Sequence, residues 1–247
     1  AFVTRSLTVP VDRVVIGAKT PFNLSYDDPQ YSKNYIEFRK ALGDSWREAA
    51  QAANWALQRI FALDCEPLVG GKLPKFAPDI KPINKLGRSV FGNIDSQSFY
   101  QLTRASLAKY MQSRFDIRVR MTMSLPTFRP PMPLPVPTNS FDISLPRDDD
   151  IMLDDNGFMV VVSFRLGDTD QKRYRVLLKN DPKRFARQLA PIRQAALEKL
   201  AYGALSIRDG GKSQTLLSLC CYLPREKPKL GNGAFLVRTD PNCLLIG

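Results

Sequence analysis

The sequence predicts an α+β protein: an OB-like antiparallel β-barrel interrupted near its N-terminus by a helical insertion. Three observations lead there. The chain opens with period-two alternation, a block of helical period follows, and the second half is a run of short apolar or alternating segments broken by one further helix. Short strands on a strongly basic chain favour a barrel over a sandwich. Lys and Arg total 36 against 24 Asp and Glu, giving a formal charge of +12. That excess favours polyanionic partners through phosphate neutralisation and counterion release. No apolar run approaches the roughly 20 residues that span a bilayer, so nucleic acid is preferred to a membrane.

Taken in order, residues 2 to 16 ("FVTRSLTVPV", "RVVIG") read as one or two strands, with Pro10 marking a break or an edge. After a polar stretch through Asp27, Asp28 and Pro29 the period changes. Trp46, Ala50, Ala53, Leu57 and Ile60 recur at spacings of four and three, the apolar stripe of an amphipathic helix, with Asp44 or Ser45 as its cap. Residues 65 to 88 are rich in Pro, Gly and Lys and are expected to be an irregular basic connection. A second helix follows in "DSQSFYQLTRASLAKYMQSRF", capped by Asp95 or Ser96, with Phe99, Leu102, Leu107, Tyr110 and Met111 as packing residues.

"FDIRVRMTMSL" alternates at period two and is expected to be a half-exposed strand with Arg118 and Arg120 on one face. "PTFRPPMPLPVPTNS" should run as polyproline, a stiff spacer or an arm laid on a surface. The strands "SFDISL", "GFMVVVSFRL", "RYRVLLK", "ALSIR", "TLLSLCCYL" and "AFLVRT" complete the β region. The helix "DPKRFARQLAPIRQAALEKLAYG" interrupts them, capped by Asp181 and Pro182, kinked or split at Pro191 and closed by Gly203. "NCLLIG" reads as a buried strand entering a core. Ala1 and this ending together suggest a portion of a larger protein.

The division expected from these elements is residues 1–30 as N-terminal barrel strands, 31–115 as a helical lobe, 116–240 as the barrel with a helical insertion at 181–203, and 241–247 as the start of a following domain. Basic, Pro-rich connections would let the lobe move against the barrel.

The chain has no histidine and four cysteines, Cys65, Cys220, Cys221 and Cys243, with no C-x-x-C pair. Cys220 and Cys221 would face opposite sides of a strand, so free thiols buried as small hydrophobes in a reducing compartment are preferred to a zinc site. Without histidine, Ser-His and Cys-His nucleophilic schemes are excluded from these residues, and no other acid-base constellation appears. No metal ligands and no catalytic residues are assigned. "DGGKS" lacks the first glycine of a phosphate loop and reads as a hairpin turn. "RDDDIMLDDNG" lacks cation-loop spacing, and its Asn156-Gly157 suits a hairpin. Trp46 and Trp55 read as packing residues.

Two groups of side chains are candidates for binding. Arg47, Gln51, Asn54 and Gln58 share the face opposite the first helix's stripe, and Gln97, Gln101 and Arg104 share a face of the second beside Tyr100. Amides pair bidentately with adenine in the major groove and Arg with guanine, so these are candidates for target-DNA motif reading. Arg118, Arg120, Arg165, Lys172, Arg173, Arg175, Lys179, Lys183, Arg184 and Arg187 lie in the β region near aromatics, the combination by which barrels hold RNA.

Three stretches, "SWREAAQAANWALQRIFALD", "SFDISLPRDDDIMLDDNGFMVVVSF" and "LEKLAYGALSIRDGGKSQTLLSLCCYLPREKP", together resemble the front half of type V CRISPR effectors and their transposon-encoded RNA-guided relatives. In that family an OB-like wedge domain is interrupted by a helical recognition lobe and leads into a RuvC-type nuclease domain. "NCLLIG" is similar to that domain's first strand up to the residue before its catalytic aspartate. The resemblance implies a cytoplasmic, prokaryotic, antiviral-defence protein whose partners are a guide RNA and target double-stranded DNA, with no membrane. It implies no cofactor in this segment, and Mg²⁺ only if a RuvC-type domain follows. The alternative is a stand-alone RNA-binding ribonucleoprotein structural protein built on an OB-like barrel.

Overall fold

The computed structural model describes residues 2–17, 22, 28–65, 70, 72–145, 160–167, 172–178, 186–212, 214–224, 238–240 and 243–245. Among them are four helices and a nearly closed, barrel-shaped antiparallel sheet. Its seven strands are β1 (Phe2–Ile16), β2 (Leu134–Val136), β3 (Phe141–Ser144), β4 (Val161–Phe164), β5 (Tyr174–Leu178), β6 (Tyr202–Gly211) and β7 (Gln214–Pro224), in the order β2-β6-β7-β1-β5-β4-β3. The two edge strands, β2 and β3, are consecutive in sequence and joined by a turn in which Ser140 N donates to Pro137 O at 3.0 Å. A separate pair joins β8 (Arg238–Asp240) to β9 (Cys243–Leu245), the strand expected at the end of the chain.

β1 is one strand, not two, and Pro10 marks its corner. Residues up to Pro10 pair with β7, residues from Val11 onward pair with β5, and the register shifts between Val11 and Arg13. A residue without an N–H followed by a bulge is how a strand bends from one half of a barrel to the other. Residues 209 to 212 of "DGGKS" lie at the β6–β7 hairpin, with positive φ at Gly211 (74°) and Lys212 (47°) as a tight turn requires. Cys221 is buried and Cys220 half-buried, as adjacent strand positions dictate, whereas Cys65 is exposed rather than in a core.

The first helix, α1 (Pro29–Leu63), begins well before the expected cap at Asp44 or Ser45. Asp28 caps it, accepting from Gln30 N at 2.7 Å, and Pro29 occupies the first turn. The expected stripe is buried, and it extends back through Leu42 and Phe38. Those two fully buried side chains carry the helix across Gly43 and Asp44, because Phe38 packs 5.4 Å from the Tyr174 ring and 6.1 Å from Phe164 in the barrel. One core therefore contains Phe38 and Trp46 of α1, Phe99 of the second expected helix and Val176 and Leu205 of the sheet. The boundaries at 31 and 115 do not divide it.

The connection expected to be irregular contains α2 (Lys81–Val90), whose Ile83 is buried and whose Gly87 lies against Phe99. α3 (Ser96–Phe115) is as expected, with Asp95 capping Gln97 N at 2.7 Å, although Met111 is exposed rather than packed. The strand expected at Asp116–Arg120 is instead a π-helical extension of α3 ending at Met121 with φ 55°. Tyr110 and Arg114 explain the difference: both bind Asp64 and hold the chain helical to the end. The proline-rich stretch is an arm laid on the helices that ends as strand β2, with Met132, Leu134 and Val136 in the core. α4 (Ala186–Leu197) contains Pro191 without dividing. Lys199 takes the left-handed turn (φ 51°) expected of Gly203, which lies in β6. The expected cap at Asp181 and the hairpin at Asn156 fall outside the described residues.

Candidate nucleic-acid interface

α3 packs through Phe99, Leu102 and Tyr110 and turns its other side outward. Gln97, Arg104, Met111 and Phe115 are exposed and Gln101 half-buried, recurring at helical spacing along about 27 Å of helix. Tyr100 is 45 % exposed, with the Arg104 guanidinium 5.8 Å from its ring centre. At the far end Phe115 is 50 % exposed beneath Arg120 at 5.1 Å, and Arg120 also pairs with Asp116 at 3.1 Å. An open ring beside a cation offers a base a stacking surface and its phosphate a counter-charge. Four candidates, Gln97, Tyr100, Gln101 and Arg104, thus meet on one surface, and Arg120 joins them from the β-region group.

The α1 set does not form a continuous reading surface. Gln51 and Gln58 are exposed, and Arg47 is exposed and paired with Asp44. Asn54 between them is spent on the protein itself: its Nδ2 donates to Phe128 O at 2.9 Å and its Oδ1 accepts from Phe128 N at 2.8 Å. This is the bidentate chemistry that would read adenine, turned on the backbone of the arm. Lys109 secures the same arm from α3, 4.6 Å from the Phe128 ring and 3.4 Å from Thr127 O.

Two arginines expected on RNA are structural. Arg118 has a side chain 8 % exposed and lies 3.8 Å from Asp64, part of a buried cluster. Arg175 is 6 % exposed, its guanidinium 4.8 Å from the Phe22 ring. Charge in a sequence does not report depth, and both find partners distant in sequence. Lys172 is exposed and paired with Glu37. Lys179, Lys183 and Arg184 lie outside the described residues, and of Arg187 only its place in α4 is described.

Arg165 and Arg173 are different. The β4–β5 register pairs Phe164 with Tyr174, so one step further along the antiparallel strands sets Arg165 opposite Arg173 at the facing ends of β4 and β5. Both line the same pocket.

The buried cluster beneath α3 is built on Asp64, at the C-terminal end of α1. Tyr110 Oη donates to Oδ2 at 2.6 Å, Arg114 Nε to Oδ2 at 2.8 Å and Arg114 Nη2 to Oδ1 at 2.5 Å. Burial and the hydrogen bond to this carboxylate push the Tyr110 hydroxyl well above its ordinary value, so it stays a donor. The cluster fixes where α3 points.

Sequence reasoning missed the Phe115–Arg120 pair, because residues five apart share no face of an α-helix. They meet through the π-helical turn, whose period brings fifth neighbours together. The exposed Phe76, 79 % accessible with Lys75 6.0 Å from its ring, was hidden within an irregular basic run.

No protein-family model matches the chain, and no curated protein matches it. Among the described residues no group of three or more His, Cys, Asp or Glu is arranged to hold a metal ion. No described helix is long and apolar enough to cross a membrane.

Proposed function

We propose that the chain is the guide-RNA- and target-DNA-binding portion of an RNA-guided DNA-targeting effector, with α3 as its principal nucleic-acid surface. The observation that supports this reading is the exposed stripe from Gln97 to Arg120 with a cation–ring pair at each end. Open aromatic faces give bases a stacking surface, and the arginines beside them can neutralise phosphates. The net charge of +12 supplies long-range attraction for either strand.

On this reading the barrel is OB-like, α1 to α3 are a recognition insertion in it, and Gln97, Gln101 and Arg104 are the groups available for reading a short motif beside the target. The assignment to the type V CRISPR and transposon-encoded relatives rests on the resemblance of sequence layout. It carries with it a cytoplasmic, prokaryotic setting, and Mg²⁺ only with a RuvC-type domain. The test is to purify the protein from a cell expressing its own locus and sequence the nucleic acid bound to it. A discrete RNA with a constant scaffold and variable guide supports the effector. A broad collection of cellular RNAs supports the stand-alone ribonucleoprotein reading instead.

A further inference from the structure

A pocket of about 460 Å³ lies between α1, the start of α3, the β2–β3 turn and the facing ends of β4 and β5. That size falls within the range of about 300–1,000 Å³ common for small-ligand sites. Its charged lining is Arg165 and Arg173 with the carboxylates of Glu48, Asp95 and Asp142. Like charges set opposite across an antiparallel pair repel, and among the described residues neither arginine side chain has a hydrogen-bond or ion-pair partner. Two guanidiniums facing one pocket from opposed strand ends suit one bridging anion, and phosphate matches their planar donors.

The carboxylates are not equivalent. Glu48 accepts from Asn93 Nδ2 at 2.7 Å, and Asp95 accepts from the first N–H groups of α3, Gln97 at 2.7 Å and Ser98 at 3.3 Å. Asp142 is exposed on β3 and its side chain makes no hydrogen bond or ion pair among the described residues, although its charge adds to burial in raising the pKa of the Tyr202 hydroxyl. Its register partner is Ser163, two residues before Arg165, so Asp142 and both arginines share one face of the sheet, in rows roughly 7 Å apart along the strands.

We infer that this pocket holds one nucleotide of a single strand, with Arg165 and Arg173 on its phosphate and Asp142 accepting from the exocyclic amine of its base. This rests on the nucleic-acid reading above. An accepting carboxylate selects cytosine, adenine or guanine and rejects uracil, which has a carbonyl where cytosine has an amine. The source is a nucleotide within a strand rather than a free one, because the pocket is open to solvent beside a surface proposed to carry the strand.

The test is calorimetric titration of the full chain with CMP, UMP and cytidine, followed by competition with a cytidine-containing single-stranded RNA. CMP should bind at one site about tenfold more tightly than UMP, the difference one hydrogen bond to a charged acceptor provides. D142N should abolish that preference, R165A/R173A should abolish the preference for CMP over cytidine, and the RNA should displace CMP. Equal CMP and UMP affinities, CMP binding unchanged in R165A/R173A, or RNA binding without displacement of CMP would each overturn the proposal. RNA binding by the parent with no CMP site sinks the pocket alone. Absence of RNA binding sinks the reading beneath it.

Discussion

Asp64 and Arg114 join the end of α1 to the end of α3 by two parallel hydrogen bonds, Nε to Oδ2 at 2.8 Å and Nη2 to Oδ1 at 2.5 Å, with side chains 3 % and 5 % exposed. Removing one partner of such a pair strands a buried charge. Arg114→Ala is expected to cost about 3–5 kcal/mol in urea denaturation, and Arg114→Lys, which cannot make both bonds, should recover only part of it.

The same carboxylate makes stability depend on acid. Burial raises the Asp64 pKa, but the hydrogen bonds from Arg114 and Tyr110 and the charges of Arg114 and Arg118 outweigh it, so the group titrates below its ordinary 3.8. A pKa depressed by folding contributes stability that is complete above the unfolded value and is lost as pH falls through the folded one. Urea midpoints should therefore decline as pH drops below about 4, and Asp64→Asn should be less stable at neutral pH but lose that part of the decline.

Gly87 in α2 has no room for a side chain: an added Cβ would sit 2.0 Å from Cζ of the buried Phe99 ring. Gly87→Ala should destabilise by about 1–3 kcal/mol despite alanine's better helix propensity, and Phe99→Leu in the same chain should restore part of the loss. Thermal melts of the parent and these two variants check it.

Asn54 separates packing from reading. Asn54→Ala leaves the Phe128 N–H and carbonyl unpaired and should cost about 1–3 kcal/mol of stability. A binding selection on randomised duplexes should find its sequence preference unchanged. Altered preference at one base position would return Asn54 to the reading surface.

Thiol chemistry should divide the cysteines. Burial, with the neighbouring Cys220, pushes the Cys221 thiol up to about 12, whereas Cys65 is exposed. Under native conditions near pH 8, a maleimide should label Cys65 rapidly and Cys221 only after denaturation, as peptide mass spectrometry would show.

What was legible in the sequence is what local pattern dictates. The Trp46 to Ile60 stripe, the Asp95 cap, the β6–β7 hairpin and the alternating strands follow from period and turn chemistry. What was hidden depends on distant partners. Gly43 and Asp44 look like a helix start, and only Phe38 packing on Tyr174 carries α1 through them. Proline-rich residues look like a spacer, yet alternate prolines remove N–H donors from one side of β2 only, which an edge strand tolerates. In the candidate site, the common face of Gln97, Tyr100 and Arg104 was legible because helical spacing alone sets it. Arg118 and Arg175 were misplaced because their burial comes from Asp64 and Phe22, far away in sequence.

The most direct test of the central claim is the affinity of single-stranded RNA across a range of salt concentrations for the parent, Tyr100→Ala and Arg104→Ala. If α3 is the nucleic-acid surface, Tyr100→Ala should weaken binding by about 1–3 kcal/mol with an unchanged salt slope, the loss of one stacked base. Arg104→Ala should weaken binding and flatten the slope of log K against log salt by about 0.7, the loss of one phosphate contact on a single strand. Parental affinity and slope in both variants would contradict the assignment of α3.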